Sequence, residues 1–111
     1  MVSIKRHKVL LDQSAAGNGN WVRLDIRYDE DMQRTLQVDL TVGDTITIEG
    51  TTVDVRGGNP ATVLAGLEAD DITTIQSFTA DGTGDLLGGP WTYIRATKTG
   101  TTGNAKVQGF V

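Results

Sequence analysis

The chain has 111 residues, a net charge of −4 and a sequence pI of about 4.7. That size makes one domain with a single core, and the acid excess excludes a general nucleic-acid binder, which needs a basic surface. Cysteine is absent and His7 is the only histidine, which excludes disulfides, thiolate metal sites and multi-histidine sites.

No apolar run approaches the roughly 20 residues of a membrane-spanning helix, and Met1–Lys8 is too polar for a secretion signal. The expectation is a chain with no membrane and no nucleic-acid partner. The composition holds sixteen Thr, ten Val, seven Ile and fourteen Gly, with eleven Asp against three Glu and four Lys. Thr, Val and Ile suit a pleated sheet, and Gly and Asp suit tight turns. Helical domains favour Glu, Lys, Ala and Leu instead. The composition predicts an all-β fold.

The first predicted strand is Ile4–Leu11, basic at its start and apolar over Val9–Leu11. Ser14–Asn20 reads as a loop or hairpin tip, because Asn-Gly favours turns with positive φ. In Trp21–Tyr28 the residues Val22, Leu24, Ile26 and Tyr28 alternate with Trp21, Arg23, Asp25 and Arg27. Such a period of two puts one face in the core and the other in water. Asp29–Asp31 is an acidic turn. Thr35–Val42 repeats the pattern, with Leu36, Val38, Leu40 and Val42 pointing inward. Gly43-Asp44 turns the chain into Thr45–Glu49, which Gly50 closes. Val53 and Val55 suggest a short further strand. Ala61–Ala69 reads as strand or a single helical turn, since Val63, Leu64 and Leu67 have helical spacing but Gly66 interrupts them. Ile72–Thr79 is a strand, Ala80–Asp85 and Gly88–Pro90 are loops, and Trp91–Lys98 is a strand. Gly100–Asn104 is a hairpin loop before the last strand, Ala105–Val111. Seven or eight strands at roughly ten-residue intervals predict an antiparallel β-sandwich or jelly roll filling residues 1–111 as one domain.

Candidate sites are few. Asp81-Gly82-Thr83-Gly84-Asp85 has the composition of a calcium loop but lacks the EF-hand positions, so an ordinary acidic turn is the expected state and no metal site is assigned. Asp29–Asp31 and Asp70-Asp71 would do acid–base work only if they faced each other across a cleft. Gly57-Gly58 and Gly17-Asn18-Gly19 lack the Lys and Ser/Thr of a phosphate loop. Serine occurs only at positions 3, 14 and 77, and there is no Gly-x-Ser-x-Gly elbow. The expectation is a non-enzyme with no cofactor. Trp21 and Trp91 each begin a strand, and Trp21 faces away from Val22, Leu24 and Ile26. Either Trp can stack on a sugar, dock on a partner protein or cover the end of a hairpin. Residues 1–11 carry Lys5, Arg6 and Lys8 and no acid, leaving −7 on the remaining hundred. That basic segment can lie on an acidic neighbour, or be an edge strand kept soluble by lysine.

Three stretches carry a resemblance: Leu36–Leu40 leading into Asp44–Thr51 (DTITIEGT), Gly89–Ala96 (GPWTYIRA), and Gly100–Val107 (GTTGNAKV). Over about Leu36–Val111 the chain resembles small β-sandwich virion structural proteins of tailed bacteriophages, of the capsid decoration or cement type. The resemblance implies a protein of the virion surface, made in the host cytoplasm, that binds the major capsid protein and bridges its subunits. It also implies a homo-oligomer, a trimer on threefold or quasi-threefold positions. It assigns no functional residue. Partner contact is expected from Lys5, Arg6 and Lys8 in the first strand, added to a neighbouring sheet edge, and from Trp21 and Trp91. Deleting residues 1–11 is expected to weaken attachment and leave the body folded. The alternative is a carbohydrate- or protein-binding module on a fibre, neck or tail.

Overall fold

In the computed structural model, which describes residues 7–24, 35–53, 58–85 and 91–111, period-two alternation becomes nine strands. They are β1 (His7–Gln13), β2 (Gly17–Asn18), β3 (Val22–Arg23), β4 (Thr35–Asp39), β5 (Thr45–Thr51), β6 (Thr73–Phe78), β7 (Gly82–Asp85), β8 (Tyr93–Thr99) and β9 (Ala105–Phe110). The helix α1 (Pro60–Ala65) and a 3₁₀ turn (Ala69–Asp71) lie between β5 and β6. The protein is all-β, as the composition predicts.

The strands form two antiparallel sheets. One has the order β1-β9-β4-β7 and the other β2-β8-β5-β6, with β3 also paired to β8. β2 and β3 are two halves of one edge strand, pairing with opposite ends of β8. Counted so, eight strands make two four-stranded sheets, and the chain changes sheet at every connection except β5 to β6. That is the strand order of a jelly roll.

Each sheet turns its apolar face inward. Leu36 and Val38 on β4 and Val107 on β9 meet Ile46 and Ile48 on β5 and Ile94 and Ala96 on β8, all buried. Each such side chain contributes on the order of 1.5–3 kcal/mol by leaving water. Both Leu10 and Leu11 are buried, which strict alternation forbids. A bulge resolves this: Val9 pairs with Gln108 and Leu11 with Val107, so Leu10 is an extra residue in the ladder. Since β1 supplies two core leucines, deletion of residues 1–11 removes part of the core. A truncation at residue 11 would therefore affect stability as well as attachment, and it does not separate the two.

Several sequence expectations are corrected. Ser14–Asn20 is no hairpin tip: its first three residues, 14–16, carry the chain from β1 in one sheet to Gly17–Asn18, which is β2 of the other. Gly100–Asn104 likewise joins β8 to β9 across the sandwich, so it closes no hairpin. Part of the Ala80–Asp85 loop is strand β7, paired with β4 from Val38↔Gly82 to Thr35↔Asp85. Val42 points outward at 80% exposure. β4 stops at Asp39, the Leu40 amide donates to Asp81 Oδ1 at 2.8 Å, and alternation no longer governs Val42. Val53 is outside any strand, with its amide donating to Thr51 Oγ1 and its carbonyl accepting from Thr92. The helical option within Ala61–Ala69 is the realised one. The Asn59 side chain accepts from the Ala61 amide at 3.0 Å, Pro60 opens the helix, and Gly66 ends it. The expected strand start at Ile4, the strand end at Tyr28 and residues Asp29–Asp31, Val55 and Gly88–Pro90 lie outside the described residues.

Candidate functional site

β8 sends Tyr93, Arg95 and Thr97 to the outer face of its sheet and Ile94, Ala96 and Lys98 to the core. Its neighbour β5 offers Glu49 opposite Arg95 and Thr47 opposite Thr97. On the other side β2 brings Asn18 opposite Thr97. Arg95 Nε donates to Glu49 Oε1 at 3.0 Å. The Thr97 hydroxyl has two acceptors within reach, the same Glu49 oxygen at 2.8 Å and Asn18 Oδ1 at 3.0 Å. Trp21 lies with the Arg95 guanidinium over its ring, 4.5 Å from the centroid. A polar ladder thus crosses three strands and ends on an aromatic ring.

The segment between β5 and β6 builds a wall beside this ladder. Pro60, Ala61, Leu64 and Ala65 of α1, followed by Leu67 and Ile72, face Trp21, Tyr93, Arg95, Asn18 and Asn20 across an open groove of about 690 Å³. That volume is in the range of ligand sites, about 300–1,000 Å³. One side of the groove is apolar and the other carries aromatic rings and planar polar groups.

A second polar cluster closes one end of the sandwich. Lys98 Nζ lies 3.1 Å from Asp44 Oδ2, and both side chains are fully buried. Lys98 also donates to the carbonyls of Ser14 (2.8 Å) and Gly100 (2.7 Å), so its three protons are all used. Asp44 accepts the backbone amides of Thr102 (3.0 Å) and Gly103 (3.1 Å). Gly100 passes Asp44 at φ +95°, where a Cβ would lie 2.4 Å from Asp44 Oδ1. The Thr102 amide first, then Lys98 and the Gly103 amide, hold the Asp44 carboxyl down at about 2 against the opposing effect of burial. Lys98 spends every N–H on Asp44 and the two carbonyls. The cluster therefore braces β5, β8 and the loops after β1 and β8.

This brace sets an acid dependence. A carboxyl whose folded pKa lies at about 2, below its ordinary 3.8, stabilises fully above pH 4 and loses that contribution as pH falls toward 2. Thermal midpoints of the wild type and Asp44→Asn are expected to lie far apart at pH 6 and to converge as pH approaches 2. A gap that stays constant with pH contradicts the assignment.

The sequence-selected residues part company. Trp21 is at the groove, on the outer face, as alternation predicts. Trp91 is partly buried and packs against the core over Gly50. Lys8 lies on the edge strand β1 and its ammonium donates to the Arg23 carbonyl at 2.6 Å, tying β1 to β3. Lys5 and Arg6 lie outside the described residues. Asp81 receives the Leu40 amide, and Asp71 receives the Glu68 amide at 3.1 Å. Among the described residues no group of three or more His, Cys, Asp or Glu comes together, and Asp81 serves as a turn acceptor. No described helix is long and apolar enough to cross a membrane. Sequence reading missed Asp44, Lys98, Asn20 and the role of Glu49. The signal was present for two of them. Asp44 shares the parity of Ile46 and Ile48, and Lys98 that of Ile94 and Ala96, so both belong to the inward face. In comparison with known proteins, no protein-family model, no curated protein and no solved structure matches the chain.

Proposed function

We propose that the chain is a virion structural protein of a tailed phage, a capsid decoration protein that binds the shell and bridges neighbouring capsid subunits. The observation that carries the reading is the position of β1. This strand is the edge of the β1-β9-β4-β7 sheet, with β9 on one side and no strand of the described chain on the other. Val9, on that edge, is 47% exposed. An open strand is a template for a strand from a neighbouring protein, and residues 1–6 lead into it. The jelly-roll architecture suits the same role, because viral capsid domains use it, though lectins and cupins do too. Binding only the assembled shell stabilises that shell by mass action.

Two measurements test the reading. Quantitative mass spectrometry of gradient-purified particles is expected to find the chain in numbers comparable to the major capsid protein. A few copies per particle would move it to a fibre, neck or tail, and absence from particles would overturn the proposal. The edge contact is tested separately with a chain lacking residues 1–6 and carrying Val9→Glu, which leaves Leu10 and Leu11 in the core. Its shell affinity is expected to fall at least about tenfold, the equivalent of roughly 1.4 kcal/mol, with an unchanged unfolding midpoint. Equal occupancy of the two proteins on the shell would remove β1 from the interface.

A further inference from the structure

The groove beside α1 has unspent hydrogen-bonding capacity. Arg95 uses Nε on Glu49 and its flat face on Trp21, and its two terminal amino groups have no partner among the described residues. The Asn20 side chain is likewise unengaged among them. All of these line one side of a groove whose other side is apolar. A ligand for it must offer many small donors and acceptors on its rim and an apolar face for the rings.

Charge narrows the class. Glu49, 3.0 Å from Arg95, neutralises the guanidinium locally, and the whole chain carries −4. An acidic ligand gains no net attraction, and a basic one finds no carboxylate among the residues that line the groove. A sugar hydroxyl accepts from an Arg or Asn N–H and donates to an Asn oxygen, whereas the C–H face of the ring packs on an aromatic side chain. The geometry points to a neutral saccharide site in this groove: a sugar ring against Trp21, with its hydroxyls on Arg95, Asn18 and Asn20, and its far side along Ala61, Leu64 and Ala65. The site is independent of β1 and of where the chain is assembled.

The test uses the full chain on an array of neutral and acidic glycans. Binding is then titrated with the best neutral glycan in a Trp91→Phe variant, whose fluorescence comes from Trp21 alone. Saturable binding of neutral glycans, with a change in Trp21 emission, is the expected result. Trp21→Ala is expected to weaken it at least about tenfold, a loss of roughly 1.4 kcal/mol, with the unfolding midpoint held. Ala65→Trp fills the groove from the exposed helix wall and is expected to do the same, so the test survives if Trp21→Ala folds poorly. No glycan bound, binding confined to acidic glycans, or neutral binding indifferent to both substitutions would each overturn the proposal. None of these results bears on the copy number in particles, so the two readings fail separately.

Discussion

Lys98→Ala is expected to destabilise the protein by about 3–5 kcal/mol, the cost of breaking a buried ion pair from one side. At about 4 °C per kcal/mol for a domain of this size, the thermal midpoint falls by roughly 12–20 °C. The substitution leaves an ionised Asp44 carboxylate buried with only the Thr102 and Gly103 amides. It also strips the Ser14 and Gly100 carbonyls of their shared donor. Lys98→Met keeps most of the side-chain volume and removes only the ammonium. A nearly equal loss in that variant identifies the ion pair, not packing, as the cause. Replacing both charges with apolar residues is no remedy here, because Asp44 also satisfies two backbone amides that would then be orphaned. Lys106→Ala, on the outer face of β9, is the control and is expected to change stability by less than about 0.5 kcal/mol. Circular dichroism melts of the four proteins decide the matter. A Lys98→Ala midpoint close to wild type would show that the end of the sandwich does not depend on this brace.

Gly19→Ala is expected to cost about 1–3 kcal/mol, the usual range for overpacking a tight site, and so roughly 4–12 °C. In sequence Gly19 belongs to a turn cluster where substitution is ordinarily tolerated. In the fold it lies between β2 and β3, with its amide donating to the Ala96 carbonyl at 2.7 Å. A Cβ there would lie 2.4 Å from the Leu10 carbonyl oxygen and 2.9 Å from that of Ala96. Both obstacles are backbone, one in each sheet, so neither can rotate away. The variant must either open the seam where the two sheets meet or give up the bond to Ala96. Gly66→Ala is the comparison: its nearest neighbours are 3.6 Å away, and it is expected to be near neutral. Urea midpoints of the two variants should therefore differ clearly. Equal midpoints would mean that the chain relaxes at Gly19 without penalty.

Legibility of the candidate site divides along the same line as the fold. The outward direction of Trp21, and of Tyr93 and Arg95 together, follows from parity along a strand, and parity is local. The wall that makes a groove of that face comes from Pro60–Ala65, some thirty residues before β8 in the chain. Asn59, Pro60 and Gly66 announce a short helix there through capping chemistry, but nothing in them says which sheet the helix will lie beside. Trp91 is the opposite case. In sequence it is expected to begin the strand that carries Tyr93 and looks as exposed as Trp21, yet it lies just before β8 and packs inward over Gly50.

The all-β class and the positions of β4, β5, β8 and β9 are legible in residue order, because a pleated strand writes its two faces into every second residue. Leu36 and Val38, Ile46 and Ile48, and Ile94 and Ala96 could face only a core. Which sheet each strand joins is settled only by long-range packing. Gly, Asn and Asp mark where a chain turns, and the same residues serve a hairpin within one sheet and a crossover to the other. Residues 14–16, 80–81 and 100–104 all lie in crossovers. Only that choice brings Lys98 onto Asp44 and Arg95 beneath Trp21, since each pair joins strands that are neighbours in space and distant in the chain.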